Sequence, residues 1–316
     1  MAENVQDDFE GAFTAWLRDQ QDRSPHTVRG YTGALRDFAA WFAQSNGERF
    51  TPAAITQADV RLYRQYLQAN RKLAPATVNR HLAALRAFAR WAQDAGLIAH
   101  NPVNGVRWVA QETPGPRWLD RREQGALLRA AQKEIQVGDL RAGGDKTHPG
   151  YIWPRRDVAL VVLLLNAGLR LAEVAALTLA DVAINERSGK VIVRQGKGRK
   201  YREVPLNANA RKVVREWLEV RPQDQGDELF LSLKGGALSE RGVSARVAAL
   251  AKAAGLEEVS VHVLRHSFAK NLVDAGVGLE KVAALLGHSS VAVTQRYITP
   301  SQADLQAATE AVAWQE

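Results

Sequence analysis

Four short stretches in the second half of the chain hold side chains able to attack a phosphodiester without a metal. They are Arg170 in NAGLRLAE, Lys197 in QGKGRKYR, His262 and Arg265 in HVLRH, and His288 and Tyr297 in GHSSVAVTQRY. Transesterification at phosphorus makes three demands: a nucleophile attacks in line, the charge on the non-bridging oxygens is met, and the leaving oxygen receives a proton. Tyr, Arg, His and Lys can supply all three.

Each stretch alone has an ordinary structural reading. Arg170 follows Gly168 at a helix junction, and Glu173 lies one turn on, where its carboxylate can hold the guanidinium; a surface Arg–Glu pair looks the same. Lys197 sits between Gly196 and Gly198 at a hairpin turn, a poor place for a core residue and a good one for a reaching amine. Lys200 and Arg202 are rivals for that role, and a solubilising loop lysine also fits. His262 and Arg265 share a helical face and can meet one anion, although His262 or His266 could instead cap a helix or line a core. No second histidine pair or acidic cluster stands nearby in sequence, which disfavours a metal site. Gly287 ends one helix, and Ser289 or Ser290 can cap another that brings Tyr297 round after two turns; a buried aromatic would show the same pattern.

Together the stretches are far more specific, and residues 118–299 resemble the catalytic domain of the tyrosine recombinases, or phage integrase family. That family carries an Arg in a Gly-Leu-Arg turn, a hairpin Lys, a His-x-x-Arg pair, a later His or Trp, and a Tyr nine positions beyond it. In this chain Arg265 to His288 is 23 residues and His288 to Tyr297 is nine. The resemblance extends to residues 12–105 through their helical character, as a SAM-like core-binding domain.

The resemblance implies that Tyr297 is the nucleophile, forming a 3′-phosphotyrosyl bond and freeing a 5′-hydroxyl. Arg170 and Arg265 would grip the non-bridging oxygens with their planar forks. His262 would help take the tyrosine proton, His288 would hydrogen-bond the phosphate, and Lys197 would protonate the departing oxygen. An ordinary phenol has a pKa of about 10, so it needs such a cationic setting near neutrality. The resemblance implies no ATP, metal or other cofactor, because phosphotyrosine conserves the bond energy and arginines meet the charge. It implies double-stranded DNA clamped between two domains, and a homotetramer on paired sites whose C-terminal tails, residues 300–316, exchange between protomers. A second recombinase is an optional further partner. No arm-binding domain precedes the helical domain, which favours Xer-like chromosome-dimer resolvases and transposon or plasmid recombinases over large phage integrases. Two alternatives stay open. A DNA-binding or architectural protein could keep the fold without the chemistry, although all six catalytic positions are filled with competent side chains. A type IB topoisomerase shares the chemistry, and relaxation of supercoils by a monomer would mark it.

These residues need a scaffold that is mainly α with a small antiparallel β-sheet. The expected division is a helical core-binding domain over 1–110, a linker over 111–118 and a catalytic domain over 119–316. The QETPGPRW stretch breaks periodicity and marks the linker. In the first part, Ser24-Pro25 opens a helix carrying Val28, Tyr31, Leu35, Phe38 and Phe42, with Gly47 beyond its end. Thr56 with Asp59 opens another through Val60, Tyr63 and Leu67, and Pro75 a third through Val78, Leu82, Leu85, Phe88 and Ala92. The first and third share Pro, Thr, Val, Ala, Leu, Arg, Phe, Ala and Trp at an offset of 50, from Pro25/Pro75 to Trp41/Trp91. Chance likeness of alanine-rich helices and duplication both explain this. Arg71, Lys72, Arg80, Arg86 and Arg90, in a stretch without acids, could lay a helix against DNA or form a solvated face, and Arg199 and Lys200 are further candidate contacts. In the second part, residues 136–156 read as an exposed loop. Asp157–Asn166 reads as a buried helix, and Val182–Ile184, Val191–Val193 and Glu203–Leu206 as strands, with helices again from Ser239.

Composition sets the outer bounds. The chain has 316 residues, 46% hydrophobic and 24% charged, ample for two packed cores. The net charge of +8 and pI near 9.8 suit a polyanion partner, or simply a basic soluble protein. Absence of cysteine excludes disulfides and thiolate metal sites and fits a reducing cytoplasm. The start, MAENVQDDFE, is acidic and unlike a secretory signal. The apolar run Val158–Leu165 falls well short of the roughly 20 residues of a membrane span.

Overall fold

A computed structural model of the chain describes residues 9–21, 25–111, 115–194, 201–288, 290–295, 297 and 309. The chain divides into two compact units, Met1–Pro114 and Gly115–Glu316.

The first unit is built on α1 (Phe9–Asp19), α2 (Pro25–Asn46), α3 (Gln57–Ala69) and α4 (Pro75–Asp94). Pro25 and Pro75 each occupy a first helical position, where a missing N–H costs nothing. Ser24, the expected cap of α2, lies outside the described residues. Thr56 and Asp59 form a reciprocal capping box at the start of α3, as their spacing predicts. The matching residues of α2 and α4 do matching work: Val28/Val78, Leu35/Leu85, Phe38/Phe88 and Trp41/Trp91 are all buried in one aromatic-rich core. After α4 the chain is laced back onto the unit. Arg64 donates to the Arg107 carbonyl (2.7 Å), and the Asn79 amide exchanges two bonds with the backbone of Val109, each 2.9 Å.

The second unit packs α5 (Arg121–Ala142), α7 (Leu171–Ala175), α8 (Ala208–Val220), α9 (Glu240–Ala253) and α10 (Val261–Asp274) around α6 (Pro149–Ala167). Every residue from Arg156 to Leu165 is buried, so the continuous apolar run is a helix enclosed on all sides. Strands β1 (Val182–Ile184), β2 (Gly189–Val193) and β3 (Arg202–Pro205) form an antiparallel meander, with Val191 paired to both Val182 and Val204. Helices α11 (Leu279–Leu286) and α12 (Ala292–Gln295) follow. No helix among the described residues is long and apolar enough to cross a membrane.

The expected loop over 136–156 is not one. Helix α5 continues to Ala142 and α6 begins at Pro149, so only residues 143–148 connect them. The glycines and prolines that suggested a loop serve helix contact instead. Pro154 removes the N–H that would bond the Gly150 carbonyl, and Gly138 of α5 lies against that oxygen: a Cβ on Gly138 would stand 2.0 Å from it.

Gly168 ends α6 in the left-handed conformation (φ +59°), and a Cβ there would lie 2.3 Å from Phe268 Cδ1 and 2.9 Å from Leu286 Cδ2. It thereby turns the chain so that Arg170 caps α7 beside α10 and α11. Gly168→Ala should therefore cost about 2–4 kcal/mol through both strain and overlap. The denaturant midpoint of the purified variant tests this, and a midpoint equal to wild type would refute it.

Candidate active site

The α11 helix ends at Gly287 (φ +65°), with Gly287 N–H bonded to Ala284 O and His288 N–H to Ala283 O. A helix leaves its last carbonyls without internal partners. Three consecutive ones are met by three arginines from three different elements. Arg202 Nε of β3 donates to Leu285 O (3.0 Å), Arg265 Nη2 of α10 to Leu286 O (2.6 Å), and Arg170 Nη2 to Gly287 O (2.8 Å). Arg265 Nη1 also donates to Gly168 O (2.6 Å) at the end of α6.

One carboxylate sits among these cations. Glu173 accepts from Arg170 Nη1 (2.7 Å) and the Arg170 backbone N–H (2.8 Å), and from Arg202 Nη1 (2.9 Å) and Nη2 (2.6 Å). Its side chain is 2% exposed. Burial by itself would raise its pKa, but the bonds from Arg202 and Arg170 outweigh that and hold it at about 2. Burial, and next the adjacent Arg170, lower Arg265 to about 10, so it stays charged at neutral pH. Three guanidiniums around one carboxylate leave an excess of positive charge, which suits an entering anion.

Tyr297 is 1% exposed, its ring packed with Phe268, Ala269, Val282 and Leu286. Its hydroxyl lies 2.6 Å from His266 Nδ1, with ring centroids 5.4 Å apart. The helix before Tyr297 is shorter than the expected two turns. Ser290 Oγ accepts from Ala292 N–H (3.1 Å), and after Gln295 the Tyr297 N–H bonds back three residues to Thr294 O (3.0 Å), which tightens the chain and turns the ring inward. Thr294 is fully buried, with its hydroxyl 2.9 Å from His288 Nδ1. Ser289, the other expected cap, is outside the described residues.

Arg170, Glu173 and Arg265 thus come together as their motifs suggest, while His262 is exposed one turn before Arg265 on α10. Lys197, Arg199 and Lys200, in the β2–β3 connection, lie outside the described residues, as does the 300–316 tail apart from Thr309. Arg202 is no rival for a reaching hairpin cation: it is bonded into the cluster and its side chain is 10% exposed. Strand parity carried the signal, because Arg202 shares the inward face with Val204 and Leu206, both buried. His266 was visible next to Arg265, but nothing in its spacing separates a partner of Tyr297 from a core histidine. In the first unit Arg71, Lys72, Arg80 and Arg90 are exposed. Arg90 lies 3.9 Å from Asp94, and Arg86 is half-buried with its guanidinium 4.8 Å over the Trp108 ring, engaged within its own unit.

Residues 147–304 match the phage integrase family, and residues 11–96 match the phage integrase N-terminal SAM-like domain. The chain is 31% identical over 289 residues to "Tyrosine recombinase XerC" of Pelobacter propionicus, covering 90% of this chain and 88% of that protein. It is 34% identical over 312 residues to the protein of the same name from Methylobacterium nodulans, covering 96% and 92%. Among solved structures, a XerH site-specific recombinase in a post-cleavage complex with palindromic difH substrate matches with a TM-score of 0.71 at 22% identity, covering 95% of this chain and 84% of that one.

Glu173 gives the cluster a measurable pH signature. Its folded pKa of about 2 lies below the ordinary 4.5, so its stabilisation is complete above pH 4.5 and is lost as pH falls toward 2. The full difference is roughly 3 kcal/mol. Glu173→Gln should lower the denaturant midpoint at pH 7, and the gap from wild type should shrink as pH falls through that window. A gap independent of pH would show that the carboxylate charge is not what binds the arginines.

Proposed function

The chain belongs to the phage integrase family of tyrosine recombinases, and we propose that it cuts and rejoins DNA with Tyr297 as the nucleophile. It is a site-specific DNA recombinase, and the observation that carries the assignment of residues is the three-arginine cluster at the end of α11, whose Leu286 also packs against the Tyr297 ring. We assign residues 1–110 to core binding and 119–316 to catalysis.

In this reading the scissile phosphate enters beside Arg170 and Arg265. Each guanidinium carries five N–H donors, so one that caps a carbonyl retains others for non-bridging oxygens. His262, exposed on α10, and His288, whose ring is held against the Thr294 hydroxyl, complete the shell around the phosphate. Tyr297 Oη attacks phosphorus, a 3′-phosphotyrosyl bond forms, and the 5′-oxygen leaves with a proton from Lys197 at the hairpin. Glu173 and Arg202 touch no substrate atom and position Arg170. No step is routed through ATP or a metal, since guanidiniums meet the charge and the covalent bond conserves energy for rejoining. The exposed Arg71, Lys72, Arg80 and Arg90 would contact phosphates. Arg86 would do so only by leaving Trp108. We place the reaction in the cytoplasm, on paired sites held by four protomers. The tail, residues 300–316, would dock on a neighbouring protomer.

On a nicked suicide substrate, wild-type protein should form a covalent protein–DNA product. Tyr297→Phe should bind the DNA and form none, and Arg170→Ala or Arg265→Ala should slow trapping by about 100-fold or more. A trapped product with Tyr297→Phe would refute the assignment. Deletion of residues 302–316 should leave single-site binding but abolish synapsis in a gel-shift assay with paired sites, and recombination that survives the deletion would exclude tail exchange.

A further inference from the structure

We propose that Thr294 is a positioning residue for cleavage, holding the His288 ring in the orientation in which it meets the phosphate; the inference rests on the proposed role of His288. Thr294 is fully buried, and its Oγ1 lies 2.9 Å from His288 Nδ1. The backbone of His288 is already tied. Its N–H bonds to Ala283 O (3.0 Å), and the Gly287 carbonyl just before it accepts from Arg170 Nη2 (2.8 Å). A backbone fixed at that peptide would still let the imidazole turn about its two side-chain bonds. The bond to the Thr294 hydroxyl stops that rotation and sets Nε2, on the other side of the ring, to meet an oxygen of the phosphate beside Arg170.

Thr294 is itself held firmly. Its N–H donates to Val291 O (2.8 Å), its carbonyl accepts from the Tyr297 N–H (3.0 Å), and its β-branched side chain has few rotamers. A buried hydroxyl costs stability unless it finds a partner, whereas a valine of the same shape would make no such demand. The hydroxyl is therefore matched to the imidazole. It also suits either state of the ring, because a hydroxyl can donate to a bare ring nitrogen or accept from an N–H. The bond involves no atom of the Tyr297 ring, so it can persist when that ring moves to meet phosphorus.

On the nicked suicide substrate, Thr294→Val, shown to be folded by its thermal unfolding, should trap DNA more slowly than wild type by about 10-fold or more. Single-site binding in the gel shift should be unchanged. Thr294→Ser keeps the hydroxyl and should trap within a few-fold of wild type. The decisive comparison uses His288→Phe, which has no ring nitrogen. That variant should trap slowly, and adding Thr294→Val should slow it no further, because no imidazole is left to orient. If Thr294→Val does not fold, Thr294→Ala takes its place in the same comparison. Equal slowing in both backgrounds would assign Thr294 to packing alone and overturn the inference. So would trapping by Thr294→Val at the wild-type rate, or by Thr294→Ser as slowly as by Thr294→Val. Trapping by His288→Phe at the wild-type rate would instead overturn the role of His288 on which the inference rests.

Discussion

The last turn of α11 leaves the carbonyls of Leu285, Leu286 and Gly287 without helical partners, and the chain satisfies them with Arg202, Arg265 and Arg170. Those arginines come from a strand, a helix and a helix cap far apart in sequence, and like charges do not gather unaided. Two forces hold them. The partial negative charge at a helix C-terminus attracts cations. Glu173, buried and ionised, bonds two of the three directly. Without either, the guanidiniums would repel one another and turn to water. The position of α11, the exit angle of α6 and the start of β3 are therefore set by the same small group of charges.

The same cluster keeps positive charge to offer an anion. Arg265 is buried yet charged, held by backbone oxygens rather than by a carboxylate of its own. A carbonyl dipole only partly neutralises a guanidinium, so attraction for a phosphate persists. The shared carboxylate does most of the structural work in the cluster while leaving net positive charge in place.

Much of this was legible in the sequence because it is local. The capping box at Thr56 and Asp59, the proline starts of α2 and α4, the three short strands and the Arg170–Glu173 pairing each depend on spacings of a few residues. What escaped is non-local. Gly138 resembles a loop signal until Gly150 is seen against it, and Arg202 resembles a loop cation until Glu173 is seen to bind it. His266 is similar, since its partner lies 31 residues away. The expected two turns before Tyr297 failed because a side-chain preference for the apolar interior overrode continuation of the helix.

Tyr297 does not belong to the main core of its unit; its ring fills a small satellite cluster with Phe268, Ala269, Val282 and Leu286. Local openings with few buried contacts cost far less free energy than global unfolding. A satellite of this size can breathe while the sheet and the enclosed α6 stay intact. On the role proposed for Tyr297, the folded chain encloses the attacking oxygen, and an opening of this small cluster alone, with the main core intact, is what would let it meet a phosphodiester.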